Sequence, residues 1–184
     1  MDTNGFYINL KKRTDRRAAC EKLLYKIGFE NIERFEAVET KNGLIGCALS
    51  HIKCIQMAKD RGYDKVLIFE DDIVCDDTME SRYLCTKFIN VLEYDVLMLG
   101  CWYRDETWYT EEEHTLKIKK ALTTHAYVIK NDYYDMMIDN MKEGIKQLLL
   151  TRQPKYHIDE HLGVLQEKHN WISFKKILFS QEDG

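Results

Sequence analysis

This sequence has no long apolar segment, almost no proline and no excess of positive charge. Its apolar runs fall well short of the ~20 residues that a membrane-spanning helix requires. The formal net charge of −4 argues against a general affinity for nucleic acid or for an anionic membrane surface. With one proline and nine glycines in 184 residues, the chain also lacks a flexible linker. We therefore predict a single domain over residues 1–184, long enough to bury a sizeable core.

The six cysteines lack the spacing of a redox or zinc motif, because they form no C-x-x-C pair. In a chain of this size they predict reduced, partly buried thiols in a reducing compartment. The first five residues (MDTNG) carry neither the basic segment nor the apolar core that begins a secretory signal. Together these features predict a cytoplasmic location.

The chain is organised around residues 66–72 (VLIFEDD), where four apolar residues run into three carboxylates. The apolar run predicts a central strand buried on both faces of an α/β sheet, and ligands bind at the carboxyl ends of such strands. Glu70, Asp71 and Asp72 would repel one another there unless a cation or solvent offsets their charge. Because Mg²⁺ and Mn²⁺ prefer oxygen ligands and often carry a substrate's phosphates, the segment predicts a metal–diphosphate site. A solvated acidic turn is the alternative.

A second candidate site lies near the amino terminus. Residues 5–10 (GFYINL) suit a first buried strand, and the basic segment 11–17 (KKRTDRR) follows it. Thr14 is predicted to cap a helix that stops at Gly28. Free backbone N–H groups and arginine side chains at such a helix start favour an anion. The alternative is a solvated first turn, although the helix dipole disfavours cations there.

The rest of the sequence alternates between predicted strands and helices. Further strands are predicted over residues 29–38, 95–100, 116–120, 123–129 and 171–180. Further helices are predicted over residues 46–59, 78–92 (capped by Asp77), 132–141 and 144–150, with a short one opening at 157–161.

The intervening loop, residues 101–114, mixes aromatic and acidic side chains. Its composition suits stacking on a sugar face, and it equally suits a loop that packs back onto the domain through its aromatics.

Several of these segments, in this order, resemble glycosyltransferase family 25, which contains bacterial lipopolysaccharide glycosyltransferases and procollagen galactosyltransferases. The matching segments are residues 7–10 (YINL) with Arg13, Asp15 and Arg16, residues 46–51 (GCALSH), residues 68–72 (IFEDD) and residues 124–127 (THAY). A weaker match is the aspartate of residues 158–162 (IDEHL). The chain departs from the pattern at Thr123, where the family often has glycine.

The resemblance implies a GT-A fold, a Rossmann-like α/β fold whose mixed sheet is flanked by helices. It also implies a UDP-sugar donor and Mn²⁺ or Mg²⁺. The chain is short for the family, so a C-terminal tail is expected to be missing. Without a secretory signal, a bacterial or viral intracellular enzyme fits best.

The resemblance also assigns site residues. Asp72 would be the principal metal ligand, with Glu70 as a further ligand and Asp71 completing the acidic motif at the ribose or sugar. The residues expected to hold the nucleotide are Asn9, Arg13 and Arg16, and those in motifs at the donor pocket are Ser50, His51 and His125.

The expected reaction is an inverting transfer of a hexose, glucose or galactose, to a glycan or another hydroxyl acceptor. Asp159 is the first candidate for the base that deprotonates the acceptor, and Glu160 is the second. Both could instead be carboxylates that stabilise a helix amino terminus. Two other functions stay open: a catalytically inactive nucleotide-sugar-binding protein, and a metal-dependent phosphohydrolase or nucleotidyltransferase.

Overall fold

A computed structural model describes residues 1, 3–103, 108–109 and 114–182. The strands are β1 (Gly5–Asn9), β2 (Ile32–Glu36), β3 (Lys65–Glu70), β4 (Ile73–Val74), β5 (Val96–Tyr103), β6 (Trp108–Tyr109), β7 (Thr115–Lys117), β8 (Ala121–Lys130), β9 (Trp171–Phe174) and β10 (Ser180–Gln181). The helices are α1 (Thr14–Ile27), α2 (Gly43–Asp60), α3 (Thr78–Phe88), α4 (Tyr134–Thr151) and α5 (Ile158–Gln166), with short 3-10 turns at Asn131–Tyr133 and Pro154–Tyr156.

Eight strands form one mixed sheet in the order β2-β1-β3-β8-β5-β9-β7-β6, and β4 pairs with β10 in a separate antiparallel ribbon. Strand β3 lies between β1, which is parallel to it, and β8, which is antiparallel. Its side chains alternate between two cores: Val66 and Ile68 pack with residues of α2, α4 and α5, whereas Leu67 and Phe69 pack with residues of α1 and α3. The prediction of a strand buried on both faces is confirmed.

Several predicted boundaries are also confirmed. Helix α1 ends at Gly28, which adopts the left-handed conformation (φ 93°) that glycine accepts without steric cost. The Asp77 side chain caps α3 by accepting a hydrogen bond from the backbone N–H of Glu80 at 3.0 Å. The predicted cap at Thr14 is wrong, because Arg13 precedes the first helical residue and no side chain caps α1.

The prediction of two helices over residues 132–141 and 144–150 is wrong, because α4 continues through Gly144. A methyl group at this position would lie 2.8 Å from Cδ2 of His161 in α5. The glycine therefore lets two helices approach closely and does not end either of them. Sequence alone does not separate these two uses of a glycine.

The predicted strand over residues 171–180 is also wrong in its second half. Strand β9 ends at Phe174, and the chain then leaves the sheet before β10 pairs with β4. Leu178 and Phe179 are buried and donate backbone hydrogen bonds to the carbonyl of Leu99. The apolar residues thus fill a core position without extending the strand.

Other features agree with the sequence where the structure describes them. The six cysteines are free thiols, four of them buried and two partly buried. Among the described helices, none has both the length and the apolar character needed to cross a membrane. The aromatic and acidic loop predicted over residues 101–114 lies mostly outside the described residues, as do all three glutamates at 111–113.

Candidate functional site

A cleft of about 310 Å³ opens where β1 and β3 end. We call it the acidic cleft, because Glu70, Asp71 and Asp72 line it together with Arg16 from α1 and His51 from α2. The apolar run of β3 delivers the three carboxylates to this edge of the sheet. The first turns of α2 form the opposite wall, beginning at Asn42, whose side-chain oxygen accepts from the N–H of Leu44.

The Arg16 guanidinium partly offsets the charge of the acidic motif. Its Nη1 lies 3.1 Å from Oδ2 of Asp72 and 3.5 Å from Oδ1 of Asp71. These side chains are mostly buried, so the contacts are screened less than surface ion pairs. Arg16 therefore supplies part of the positive charge that the acidic motif needs to offset its repulsion. The helix dipole alone would disfavour a basic residue at the start of α1, but Arg16 has the two aspartates as partners there.

Asn9 holds Asp71 from beneath the cleft. The buried Asn9 amide donates to Oδ2 of Asp71 at 2.6 Å and to the carbonyl of Arg13 at 3.0 Å. Its carbonyl oxygen accepts from Nε of Arg34 at 2.9 Å. The Arg13 side chain, in contrast, is exposed and pairs with Asp15. Neither Asn9 nor Arg13 is among the described residues that line the cleft, so their predicted contact with a nucleotide stays a prediction.

Glu70 is fixed by two side chains from different elements. Nε2 of His51 lies 3.3 Å from Oε1 of Glu70, and the hydroxyl of Thr124 donates to the same oxygen at 2.9 Å. Nδ1 of the fully buried His51 lies 2.9 Å from the hydroxyl of Tyr127. Desolvation acts to raise the pKa of Glu70, but the His51 and Thr124 hydrogen bonds outweigh it and the pKa lies below its usual value. Glu70 is therefore held as a carboxylate.

Asp72 has the opposite electrostatic character. Burial and the neighbouring charge of Glu70 raise the pKa of Asp72, while Arg16 acts to lower it. Its backbone carbonyl accepts from the N–H of Glu182 at 2.8 Å, and Nε2 of Gln181 lies 3.4 Å from its Oδ1. Residues 181–182 thus contact the acidic motif at Asp72. The negative charge of the Asp72 carboxylate is only partly offset by Arg16.

Two predicted donor-pocket residues make hydrogen bonds within the fold, and of these Ser50 also lines the acidic cleft. Their predicted role at the donor stays a prediction. The buried hydroxyl of Ser50 accepts from the N–H of Val38 at 2.8 Å and donates to the carbonyl of Gly46 at 2.7 Å. Nε2 of His125 lies 2.9 Å from the carbonyl of Phe179, which ties the segment before β10 to β8. No side chain fits at Gly100, since a Cβ there would lie 2.2 Å from this His125 nitrogen. His51 alone of the three predicted polar residues contacts the acidic motif directly.

A second, smaller cleft of about 170 Å³ lies on the other side of Glu70. We call it the Asp159 cleft; its lining includes Glu70, Cys47, Thr123, Thr124 and Asp159. Glu70 and Cys47 also line the acidic cleft, so the two clefts meet at these side chains.

The candidate base Asp159 lies in the first turn of α5. Its Oδ1 accepts from the N–H of Glu160 at 2.9 Å, and its Oδ2 accepts from the N–H of Thr123 at 3.4 Å. The carboxylate of Glu160 lies 3.9 Å from Nζ of Lys120 and is not among the described lining residues of either cleft. The geometry favours Asp159 over Glu160, and both assignments stay predictions.

Thr123 is the strained residue of the Asp159 cleft. Its φ of 69° lies in the left-handed region, which is unfavourable for a β-branched side chain. Its hydroxyl oxygen is buried and has no hydrogen-bond partner in the described structure. Residues held in such conformations cluster at functional sites. Threonine at position 123, where the family often has glycine, thus adopts this backbone conformation at an energetic cost.

The acidic cleft fits a divalent cation. Four carboxylates and two cations line it: Lys12 pairs with Glu39, and Arg16 contacts Asp71 and Asp72. Burial and the charge of Glu70 raise the pKa of Asp72. Mg²⁺ and Mn²⁺ are commonly held by one or two carboxylates together with substrate phosphates. Asp72 and Glu70 offer such oxygens at the cleft surface.

Comparison with solved structures defines the class of fold. A glycosyltransferase involved in glycosylation of the major capsid of PBCV-1 matches with a TM-score of 0.58 at 12% identity, over 93% of this chain and 80% of that one. A mutant Drosophila β1,4-galactosyltransferase 7 in complex with manganese, UDP-Gal and xylobiose matches with a TM-score of 0.50 at 8% identity, over 100% and 72%. The predicted GT-A fold is confirmed, with helices on both faces of a mixed sheet.

Sequence comparison identifies the family. The profile of glycosyltransferase family 25 (LPS biosynthesis protein) matches residues 39–149, so the chain belongs to this family. It is 25% identical to human procollagen galactosyltransferase 2 over 96% of this chain and 32% of that protein. A glycosyltransferase 25 family member of Drosophila pseudoobscura pseudoobscura is also 25% identical, over 93% and 32%. The chain therefore spans about a third of the length of these relatives.

One relative carries a different description. The inactive glycosyltransferase 25 family member 3 of mouse is 26% identical over 76% of this chain and 23% of that protein. Membership in the family thus includes proteins with and without activity, and the site has to carry the functional argument.

Three site residues were missed by the sequence analysis. Thr124 and Tyr127 stand in the THAY segment that signalled the family, but their contacts with Glu70 and His51 require β8 to lie beside β3. Arg34 lies in β2 and contacts Asn9 across the parallel β1–β2 pair. Only the alternation of strand side chains could have pointed to these contacts.

Proposed function

We propose that this protein is a glycosyltransferase that moves a hexose, glucose or galactose, from a UDP-sugar to a hydroxyl group of a glycan or another acceptor. The observation that carries the proposal is that two clefts meet at Glu70: one contains the acidic motif, and the other contains a carboxylate that could act as a base. Donor and acceptor would meet at this point with the sugar between them.

The acidic cleft would bind the nucleotide diphosphate. Asp72 and Glu70 would hold Mn²⁺ or Mg²⁺, which when bound supplies neutralisation of charge on the diphosphate leaving group. Asn9 orients Asp71, and Arg16 keeps Asp71 and Asp72 close together in the absence of other cations. His51 and Thr124 keep Glu70 ionised and fixed in direction.

The Asp159 cleft would bind the acceptor. Asp159 accepts two backbone hydrogen bonds that orient its carboxylate at the start of α5. In an inverting transfer it would take the proton from the acceptor hydroxyl while that oxygen attacks the anomeric carbon from the face opposite the leaving diphosphate. This assignment predicts loss of turnover without loss of donor binding when Asp159 is changed.

Two observations on related proteins support the choice of donor and metal. The Drosophila galactosyltransferase that shares the fold was solved with manganese and UDP-Gal, and the human relative is described as a procollagen galactosyltransferase. A bacterial lipopolysaccharide acceptor agrees with the description of the family. The cytoplasmic location inferred from the sequence stays a prediction.

The test measures donor binding and product together. The melting temperature would be recorded with UDP and a panel of UDP-sugars, in Mn²⁺ and in EDTA, because a ligand that binds the native state raises stability. Released UDP and released phosphate would then be quantified separately, with and without sugar acceptors. We expect a metal-dependent shift with UDP and release of UDP from one UDP-hexose.

Each alternative predicts a different result. An inactive binding protein would show the shift with UDP but no release of UDP with any acceptor and no slow hydrolysis of the donor. A phosphohydrolase or nucleotidyltransferase would release phosphate or pyrophosphate. Absence of any nucleotide-dependent shift would contradict the donor site itself.

A further inference from the structure

Three side chains of ligand type converge where the two clefts meet. Cys47 and His51 lie four residues apart on α2 and therefore on one face of that helix, and Glu70 ends β3. The ligand atoms of the three residues all lie within 4.8 Å of one another. This set differs in chemistry from the oxygen ligands of the acidic motif, because it contains a thiol and an imidazole.

The distances within this cluster suit one small cation. Nε2 of His51 and Oε1 of Glu70 are 3.3 Å apart. When nitrogen and oxygen ligands bind Zn²⁺ at about 2.0–2.2 Å in tetrahedral geometry, their mutual separation is about 3.3–3.5 Å. A separation of 3.3 Å also fits a long hydrogen bond. The geometry is therefore compatible with the metal-free and the metal-bound states, and binding a cation needs little rearrangement.

The surroundings already orient the ligands. The Tyr127 hydroxyl lies 2.9 Å from Nδ1 of His51, which leaves Nε2 directed at the cluster. Thr124 donates to Glu70 and fixes its carboxylate. Histidines that bind metals almost always make such a second hydrogen bond through their other ring nitrogen, and carboxylate ligands are held likewise.

We propose that Cys47, His51 and Glu70 form a binding site for Zn²⁺ or a similar soft divalent cation. A thiolate and an imidazole favour Zn²⁺ over Mg²⁺ and Mn²⁺, which prefer oxygen. Three protein ligands leave a fourth position open, as in zinc sites that bind water. Because Cys47 and Glu70 line both clefts, that position is reached from the cleft surface.

Occupation of this site has a consequence for transfer, which rests on the proposed function. Glu70 would bind Zn²⁺ and would no longer be available as a ligand for Mn²⁺ or Mg²⁺. The zinc ion would lie between the acidic cleft and the Asp159 cleft. Zn²⁺ would therefore inhibit a reaction that Mn²⁺ or Mg²⁺ supports, and excess Mn²⁺ would relieve the inhibition poorly because it does not compete for the thiol.

The test uses Co²⁺ as a spectroscopic substitute for Zn²⁺ on EDTA-treated protein. A tetrahedral Co²⁺–thiolate site gives a near-ultraviolet charge-transfer band and intense visible bands. We expect these bands to saturate at one Co²⁺ per chain and to disappear when Zn²⁺ is added. Absence of a thiolate band in the wild-type protein would overturn the proposal.

The matched variants are Cys47→Ser and Cys75→Ser. Both cysteines are partly buried, but Cys75 lies 3.2 Å from the Ser81 hydroxyl and outside the cluster. We expect Cys47→Ser to lose the thiolate band and at least about tenfold in Co²⁺ affinity, whereas Cys75→Ser keeps both. An unchanged band in Cys47→Ser would contradict the site. Circular dichroism and a Cys47→Ala variant check that the loss is not one of folding.

A third variant separates this site from the proposed function. Asp72→Asn removes the principal oxygen ligand of the proposed Mn²⁺ site but none of the three residues above. We expect it to keep the Co²⁺–thiolate band. In the wild-type protein, a band without any transfer of a sugar would leave the zinc site standing and contradict the proposed function. Metal-dependent transfer without a Co²⁺–thiolate band would support the proposed function and contradict the zinc site.

Discussion

The two clefts are built differently although they share Glu70. In the acidic cleft each carboxylate contacts side chains from other elements: Asn9 and Arg16 for the aspartates, His51 and Thr124 for Glu70. In the Asp159 cleft the candidate base has only backbone N–H donors among the contacts described above. The acidic motif is therefore held by side chains from several elements before any ligand binds, whereas the Asp159 carboxylate is oriented by backbone N–H groups.

The same contrast appears in the backbone. The acidic cleft is formed by a central strand and the start of a capped helix, which are conformations that their sequences favour. The Asp159 cleft contains Thr123 in the left-handed region, with an unpartnered buried hydroxyl. Strained residues cluster at functional sites, so this contrast between the two clefts can be tested by substitution. The following four substitutions test this contrast.

The largest effect is expected for Asp72→Asn. Loss of the principal carboxylate ligand should reduce metal-dependent UDP binding and transfer at least about 100-fold, because the charge on the leaving diphosphate is no longer offset. Binding of UDP would be measured by calorimetry in Mn²⁺ and in EDTA. Asp76→Asn, an exposed aspartate four residues away, is the control and should be unchanged. Metal-dependent binding that survives in Asp72→Asn would move the site away from this carboxylate.

Asp159→Asn should affect the other cleft alone. We expect kcat to fall about 100-fold or more, as for loss of a general base, while the UDP affinity stays the same. Glu160→Gln is the comparison, because it lies one residue away in the same first turn of α5. A larger loss in Glu160→Gln would assign the base to the second candidate. Equal turnover in all three proteins would mean that both carboxylates only stabilise the helix.

Tyr127→Phe tests how firmly the acidic cleft is held. Removing the hydroxyl frees Nδ1 of His51 and lets the ring turn away from Glu70, so we expect about a tenfold loss of transfer. Tyr134→Phe is the matched control, since its hydroxyl also bonds across the core, to the carbonyl of Tyr63 at 3.1 Å, but away from the site. Both variants should lose about 1 kcal/mol of stability. Equal transfer in both would show that His51 needs no support.

Thr123→Gly should give the smallest change and the opposite sign in stability. Relief of the left-handed strain should stabilise the fold by about 1 kcal/mol, which is about 2–4 °C in melting temperature for a chain of this size. Arg152→Gly is the control, because Arg152 ends α4 with a φ of 56° and is not among the described lining residues of either cleft. We expect both to raise the melting temperature, and only Thr123→Gly to change acceptor use. Loss of stability in Thr123→Gly would mean that the residue is not strained.

The part of the site that lies close together in sequence was predictable. An apolar run followed by acids specifies both a buried strand and the position of its carboxylates, so β3 and the acidic motif were found without any tertiary information. Contacts between distant residues were not found. Thr124 and Glu70 are 54 positions apart, and His51 and Tyr127 are 76 apart. The antiparallel pairing of β3 with β8 brings the first pair together, and the packing of α2 against the sheet brings the second.

The errors in the fold have a common physical origin. The sequence predicts a break before Gly144 and a second helix that begins there, but a missing side chain equally permits close packing, here against His161. Leu178 and Phe179 resume the apolar pattern after two lysines, but they donate to the carbonyl of Leu99 and fill a core position instead of extending β9. In both places the neighbours that decide the backbone conformation belong to other elements: His161 lies in α5 and Leu99 in β5.

The pairing of β10 with β4 has a consequence for how the protein is made. The acidic motif leaves the ribosome before Gln181, which contacts Asp72 and lies 109 residues further along the chain. At 5–20 residues per second the nascent chain waits roughly 5–20 s before this ribbon can form. During that interval the carboxylates are open to solvent and to ions. The acidic cleft is therefore completed only after most strands of the described sheet have emerged.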